Sequence, residues 1–223
     1  MQHVPALEIA GYRFLNPQLL RRALTHRSHS ADHNERLEFL GDAVLNCVIA
    51  AELYRIYPSV PEGDLSRVRA SLVNGQNLWL LANNLGLGPQ LLLGEGEIRS
   101  GGAQRPSMLA NAVEAIIGAV FLDGGFAPAQ AFTLKIFAAS LNDVDPRVAG
   151  KDAKTLLQEL LKARHLPLPR YSIVTTAGEA HEQSFQVECG IPELDIRTLG
   201  EGLSRRAAEQ AAARAAHDLI AGR

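Results

Sequence analysis

The sequence contains only two cysteines, Cys47 and Cys189, so it cannot form a disulfide framework or a four-thiolate zinc site. This scarcity is typical of proteins in a reducing compartment, and we expect a cytoplasmic location. No unbroken apolar run reaches the roughly 18 residues needed to cross a bilayer. The first residues also lack the basic start and continuous apolar stretch of a signal peptide. We therefore expect no membrane partner.

An excess of positive charge is also missing. The 22 Lys and Arg residues are outnumbered by 24 Asp and Glu residues, and the formal net charge is −2. Phosphate-binding proteins usually carry a basic footprint, so the total charge by itself does not favour a nucleic-acid partner. Because the balance is similar on both sides of Gly150, an argument for such a partner must rest on local arrangements of charge.

What the sequence does contain, over about the first two thirds of its 223 residues, is helical periodicity. The longest such segment, about Glu35–Tyr57, repeats apolar residues at steps of three and four positions. A glycine-rich loop at 94–106 precedes a second apolar helix at about 107–122, and a last helix is predicted at about 128–141. No strand-like alternation appears before about residue 150.

The pattern changes after a polar segment that contains a proline and a glycine. A predicted helix is followed by three short strands and a long alanine-rich helix, in the order α-β-β-β-α. This order suits a small three-stranded sheet packed against two helices. The sequence therefore predicts an all-α domain at 1–145, a linker at 146–151 and a small α+β domain at 152–223.

Two acidic clusters lie inside the two most apolar predicted helices. Glu38 and Asp42 are four residues apart, and Glu35 lies three residues before Glu38. Asn111 and Glu114 are three residues apart, so each cluster shares one helix face. Like charges at this spacing destabilise a helix unless something compensates them, most simply a bound cation. Solvated surface carboxylates are the alternative interpretation.

The chemistry of these side chains indicates a possible metal site. Glu114 stands between Val113 and Ala115 in an apolar helix, where a carboxylate should be paired, metal-bound or at the surface of a cleft. If the two helices face each other, three carboxylates and one amide converge into an oxygen-rich site suited to Mg²⁺. Such a site could activate water and stabilise an in-line displacement at phosphorus. The spacing alone does not require the helices to meet.

A second group of residues suits a phosphate-rich partner. Ser204 can cap the final helix, while Arg205 and Arg206 occupy its first turn, where cations oppose the helix dipole but can hold phosphate. Polar residues on the preceding helix and one loop histidine could complete a surface that follows the grooves of A-form RNA: Thr155, Gln158, Glu159 and His181. Taken alone, the arginine pair is equally consistent with simple solvation, and a lone loop histidine such as His181 is usually just solvated.

Several long motifs together resemble bacterial ribonuclease III. The resemblance runs over almost the whole chain in the family's order: NERLEFLGDAVL, LANAVEAIIGAVFLDGG, HLPLPRY, GEAHEQ and GLSRRAAEQAAA. It implies a helical endonuclease domain that homodimerises, joined to a double-stranded RNA-binding domain. It also implies Mg²⁺-dependent hydrolysis of both strands, with Mn²⁺ able to substitute, leaving 5′-phosphates and short 3′ overhangs.

The resemblance assigns roles to individual acidic residues. Glu38, Asp42 and Glu114 match the family's metal-binding carboxylates, and Asp42 and Glu114 match its catalytic positions. Glu35 matches an acidic residue just outside this set, and Glu62 matches another near the active-site valley. The α-β-β-β-α segment then supplies the RNA contacts named above.

One position departs from the family pattern. The family usually has Asp where this chain has Asn111, whose amide oxygen can still contact a metal but adds no negative charge. We expect a working enzyme that processes ribosomal RNA precursors and other structured transcripts. The rival hypothesis is a catalytically weakened or inactive double-stranded RNA-binding protein that uses the nuclease domain as a dimer scaffold.

Overall fold

The computed structural model describes residues 8–146, 148–177 and 183–222, and the chain divides into two compact units. These units are Met1–Ala149 and Gly150–Arg223, so the division falls inside the segment 146–151 that is predicted to be a linker. Each unit has its own hydrophobic core.

The first unit is helical, which confirms its predicted class. Its helices are α1 (Pro17–Ala23), α2 (Glu35–Ile56), α3 (Glu62–Leu72), α4 (Gly75–Asn84), α5 (Glu95–Arg99), α6 (Pro106–Gly124), α7 (Phe126–Ile136) and α8 (Ala138–Asp143). Local signals explain where several of them begin. The Asn16 side chain, for example, accepts a hydrogen bond from the Gln18 backbone nitrogen, and Pro17 follows as the first helical residue of α1.

A small β-hairpin precedes these helices and was not predicted. Strands β1 (Glu8–Ile9) and β2 (Tyr12–Arg13) pair in an antiparallel fashion. Two-residue strands are too short to show alternation in the sequence. Tertiary contacts hold the hairpin: Ile9 is buried in the core, and the Tyr12 hydroxyl donates a 2.9 Å hydrogen bond to Asp123 Oδ2 at the end of α6.

Two other predictions for this unit were wrong in detail. The glycine-rich loop at 94–106 contains α5 and a 3₁₀ turn, Gly102–Gln104. The single helix predicted at 128–141 is divided into α7 and α8 at Phe137, which is fully buried. The Phe137 backbone departs from helical geometry, with φ of −91° and ψ of 0°, while its side chain stays in the core.

Helix α6 runs through the centre of the first unit. Its length of 19 residues and mean hydropathy of 1.4 over an 18-residue window would suffice for a membrane span, although the sequence shows no unbroken apolar run of that length. However, 61% of that window is buried inside the protein. A helix that is apolar on nearly all sides is typical of the middle of a core, and α6 packs against α1, α2, α4 and α7.

The second unit has the predicted α-β-β-β-α order. It comprises α9 (Ala153–Ala163), β3 (Arg170–Ala177), β4 (Ser184–Ile191), β5 (Ile196–Gly202) and α10 (Arg205–Ala221). The three strands form an antiparallel sheet in the order β3-β4-β5. The core lies between this sheet and the two helices, with Leu157 and Leu161 of α9 facing Ala212 and Ala216 of α10 among its buried members.

The sequence pattern predicts the third strand at about 194–199, and the structure has it begin two residues later. Pro192–Leu194 form a 3₁₀ turn, and Asp195 adopts a left-handed conformation with φ of 51°, so regular pairing starts only at Ile196. Alanines let α10 pack closely on this strand. A Cβ at Gly200 would overlap the backbone of α10 at Ala212, so the strand requires glycine at this position.

Candidate active site and RNA interface

The two acidic clusters meet where α2 and α6 cross with their backbones in contact. A Cβ at Gly41 would overlap the carbonyl oxygen of Glu114, and a Cβ at Gly118 would overlap the carbonyl oxygen of Leu37. Glycine on both helices therefore permits this close approach. Gly41 lies between Glu38 and Asp42, so the crossing brings these carboxylates to the part of α6 that carries Glu114. In the sequence, Gly41 stands between the two carboxylates of α2, whereas the role of Gly118 was not predicted and its signal is its position one turn after Glu114.

Glu114 is the most strongly perturbed carboxyl group of the site. Burial, followed by the negative charges of Asp42 and Glu38, raises its pKa from 4.5 to about 7. Because the charges of Asp42 and Glu38 on α2 act on Glu114 of α6, the three carboxylates lie close together across the helix crossing. At neutral pH and without a compensating cation, Glu114 would therefore be only partly ionised.

Glu38 connects the cluster to Asn111. Burial raises the pKa of Glu38 most, and the charges of Glu35 and Asp42 raise it further. A hydrogen bond from the Asn111 amide acts in the opposite direction and stabilises the Glu38 carboxylate. The Asn111 amide therefore donates to a carboxylate at a position where an aspartate would repel it.

Asp42 and Glu35 lie at the solvent side of the cluster. The Asn46 Nδ2 atom donates a 2.8 Å hydrogen bond to Asp42 Oδ1, which orients this exposed carboxylate from one turn further along α2. Glu35 pairs with Arg27, whose Nη1 atom lies 3.2 Å from Glu35 Oε1. Asn46 was not predicted as a site residue, although its spacing from Asp42 is the usual one for side-chain contact on a helix.

Glu62 is placed differently from the other acidic residues. It is exposed at the start of α3, and its Oε1 atom accepts a 2.7 Å hydrogen bond from the Ser66 hydroxyl. An acidic residue in the first turn also interacts favourably with the helix dipole. The structure thus gives Glu62 a local role in α3, and its placement near the active site stays a prediction.

The donor set suits a hard divalent cation. Glu38, Asp42, Glu114 and Asn111 offer only carboxylate and amide oxygens, which are the ligands that Mg²⁺ prefers. Among the residues that the structure describes, no three His, Cys, Asp or Glu side chains are grouped tightly enough to hold a metal ion as they stand. The backbones of α2 and α6 are already in contact at this point. A divalent cation would also remove the mutual repulsion that raises the pKa of Glu114.

In the second unit, the predicted contacts on α9 lie along one side of that helix. Thr155, Gln158 and Glu159 line an open cleft of about 560 Å³ together with Lys162 and His165. Asp152 caps α9 by accepting a hydrogen bond from the Thr155 backbone nitrogen, and Lys151 pairs with Glu159 at 2.6 Å. Lys151 therefore partly neutralises the negative charge that Glu159 brings to this surface.

The start of α10 presents its two arginines to solvent. The Ser204 hydroxyl accepts a 3.2 Å hydrogen bond from the Ala207 backbone nitrogen, which confirms it as the helix cap. Arg205 and Arg206 are both exposed in the first turn. His181 lies outside the described residues, so its predicted role stays a prediction. Glu209, which the structure places beside Arg205, was not predicted as part of this surface.

Both units of the chain match families of known proteins. A family model for ribonuclease-III-like proteins matches residues 16–141, and one for the double-stranded RNA binding motif matches residues 153–219. Ribonuclease 3 of Cupriavidus taiwanensis is 59% identical over 210 residues, which cover 94% of this chain and 82% of the relative. Ribonuclease 3 of Nitrosomonas europaea is 54% identical over 213 residues, which cover 96% and 87% respectively.

The fold of the first unit also has a solved counterpart. The nuclease domain of ribonuclease III from Campylobacter jejuni shares 40% sequence identity with a TM-score of 0.60, covering 65% of this chain and 100% of that domain. The alignment with the Cupriavidus taiwanensis relative covers 94% of this chain and therefore extends over both units. The chain therefore belongs to the ribonuclease III family of endoribonucleases and carries a double-stranded RNA-binding domain.

Proposed function

We propose that this endoribonuclease hydrolyses phosphodiester bonds in both strands of double-stranded RNA with Mg²⁺, leaving 5′-phosphates and short 3′ overhangs. The observation that carries the proposal is the crossing of α2 and α6, which gathers Glu38, Asp42 and Glu114 around a backbone contact. The family is metal-dependent, and the oxygen-only donor set of this chain favours Mg²⁺, with Mn²⁺ able to replace it.

In this proposal each residue of the cluster has a distinct task. Glu38, Asp42 and Glu114 would hold Mg²⁺, with the Asn111 amide oxygen as a weaker neutral ligand. When bound, Mg²⁺ would neutralise the charge that develops on the phosphate and favour attack by water. Glu114 must be ionised for this role, and its partly buried position keeps it opposite the carboxylates of α2. Asp42 is exposed and held by Asn46, so its carboxylate can also accept a proton from the attacking water.

Recognition of the duplex is assigned to the second unit. Thr155, Gln158 and Glu159 of α9 would contact the minor groove, while Arg205 and Arg206 at the start of α10 would hold backbone phosphates. Ser204 contributes by capping α10, and His181 is the predicted contact from the loop between β3 and β4. This mode reads the shape of A-form RNA, so we propose ribosomal RNA precursors and other structured transcripts as substrates in the cytoplasm.

Cleavage of both strands requires two active sites, and we propose that the first unit homodimerises to supply them. The outer face of α2 carries two large exposed side chains that support this, Phe39 at 81% and Tyr54 at 76% exposure. A Campylobacter jejuni nuclease-domain structure is itself described in terms of a region involved in dimer formation. Light scattering of the purified protein should give the mass of a dimer, and a monomer at micromolar concentration would contradict the proposal.

The central experiment is cleavage of a long RNA duplex by the purified full-length protein with and without Mg²⁺. We expect cleavage only with Mg²⁺. Glu114→Ala should abolish cleavage and leave duplex binding nearly intact, because the two functions lie in different units. Loss of both would count against the role assigned to Glu114.

Asn111→Asp, assayed in parallel, separates the enzyme from its rival. If the native chain leaves the duplex intact and Asn111→Asp cuts it, the native protein is a catalytically weakened enzyme. If neither cuts the duplex with Mg²⁺ or Mn²⁺ while both bind it, the nuclease unit is a scaffold for RNA binding and the proposal fails.

A further inference from the structure

A negatively charged side chain lies within the proposed phosphate-binding surface of α10. Glu209 follows Arg205 by one helical turn, and its side chain is only 13% exposed. Its Oε1 atom lies 2.8 Å from Arg205 Nε, and its Oε2 atom lies 2.7 Å from Lys154 Nζ. A carboxylate beside phosphate-binding arginines should repel RNA, so its presence here requires an explanation.

Lys154 connects this carboxylate to α9. Its Nζ atom lies 4.3 Å from the centroid of the Tyr171 ring, and its backbone nitrogen donates a 3.2 Å hydrogen bond to Gln210 Oε1. Lys154 also directly precedes Thr155, the first of the predicted RNA contacts on α9. Glu209 and Gln210 therefore tie the first turn of α9 to the first turns of α10.

Arg205 remains available for RNA in this arrangement. The ion pair with Glu209 engages its Nε atom, while the side chain as a whole is 64% exposed. Hydrogen bonds from Lys154 and then Arg205 lower the pKa of Glu209, so the carboxylate is charged at neutral pH. An arginine held by one edge loses less side-chain entropy when the rest of its guanidinium group meets a phosphate.

We propose that Glu209 is a positioning residue for duplex RNA: held in place by Lys154, its carboxylate orients the Arg205 guanidinium group for contact with phosphate. The proposal rests on the function proposed above, in which Arg205 binds phosphate. In this proposal Glu209 strengthens RNA binding, whereas its negative charge alone would weaken it. This opposition makes the proposal testable with a single isosteric substitution.

The test is the affinity of full-length Glu209→Gln for an RNA duplex longer than the roughly 16 base pairs that one such domain spans, without divalent metal. We expect affinity to fall about three- to tenfold, because Arg205 must then be ordered by the RNA itself. The slope of log K against log salt should flatten by up to about 0.9, the value of one phosphate contact. If charge alone mattered, affinity would rise instead, and an equal or higher affinity would overturn the proposal.

A matched control removes the same charge elsewhere in the domain. Glu193 is exposed in the turn between β4 and β5, so Glu193→Gln should leave affinity and salt dependence unchanged. If Glu193→Gln weakened binding as much as Glu209→Gln does, the effect would be a general one of net charge and the proposal would fail.

Two further variants distinguish positioning from a merely structural role. In an Arg205→Ala background, Glu209→Gln should cause little additional loss, because it acts through Arg205, whereas a structural defect would add its full effect. Lys154→Met combined with Glu209→Gln removes the unpaired lysine and keeps apolar packing on Tyr171. If this double variant recovers native affinity, Glu209 merely neutralises Lys154 and the proposal is overturned. If Arg205→Ala itself leaves the affinity for duplex RNA unchanged, the phosphate-binding role proposed for the start of α10 is wrong. The error then lies in the proposed function.

Discussion

Glu114→Gln should make the metal-free protein more stable at neutral and alkaline pH, although it should destroy the proposed metal site. Burial and the charges of Asp42 and Glu38 raise the pKa of Glu114 from 4.5 to about 7. The folded protein therefore holds the Glu114 proton more tightly than the unfolded chain does. The resulting stabilisation is fully present below about pH 4.5 and is lost as the pH rises through about 7. Glutamine keeps the shape of the protonated acid and does not ionise.

The expected magnitude follows from the size of the shift. One pKa unit corresponds to about 1.4 kcal/mol, so the shift of Glu114 is worth about 3 kcal/mol at full effect. Because the side chain is only partly buried, screening by solvent reduces this to about 2 kcal/mol. Glu114→Gln should therefore exceed the native protein in free energy of unfolding by about 2 kcal/mol near pH 8 and by less than about 1 kcal/mol near pH 5.

Urea unfolding in the presence of a chelator, from about pH 5 to about pH 8, would measure this difference. Glu95→Gln is a suitable control, because Glu95 is exposed and pairs with the exposed Arg99, and it should change stability by less than about 0.5 kcal/mol at either pH. Added Mg²⁺ should stabilise the native protein much more than Glu114→Gln, since a ligand stabilises only the state that binds it. A difference that does not grow with pH, or a Glu114→Gln protein that is less stable near pH 8, would refute this account of the site.

Further predictions concern the helix crossing and its amide. Gly41→Ala should destabilise the first unit by about 3 kcal/mol or more, because its Cβ would overlap the Glu114 carbonyl oxygen. As a control, the Cβ of Gly63→Ala on α3 meets no neighbour, so this variant should be nearly neutral, and thermal unfolding compares the two. Asn111→Asp should lower the Mg²⁺ concentration for half-maximal cleavage about tenfold and cost about 1–2 kcal/mol of metal-free stability, because it replaces a donor to Glu38 with a fourth negative charge. An unchanged Mg²⁺ requirement would place residue 111 outside the metal site.

Much of the fold could be predicted from the sequence because its signals are local. Apolar residues at helical spacing and capping residues such as Asn16 and Ser204 depend on backbone hydrogen bonds within a few residues. The hairpin before α1 could not be predicted, since its strands are held by contacts with α6 far away in the sequence. The break at Phe137 could not be predicted either, because the apolar helical pattern continues through this residue, which is buried in the core.

The candidate site divides along the same line. By itself the sequence determined that Glu38 and Asp42 share one helix face and that Asn111 and Glu114 share another, because helical periodicity depends only on neighbouring residues. Only the tertiary structure decided that α2 packs against α6 at Gly41, because this contact joins two segments that are distant in the sequence. The resulting burial of Glu114, and the nearby charges of Asp42 and Glu38, raise its pKa.

In the second unit, sequence spacing makes Glu209 an ordinary helical partner of Arg205. Its other bond, to Lys154, joins residues 55 positions apart and became visible only once the core had brought α9 and α10 together. The sequence determines residue types and local helix geometry. The packing of the whole domain determines the environment that sets the charge and orientation of each side chain.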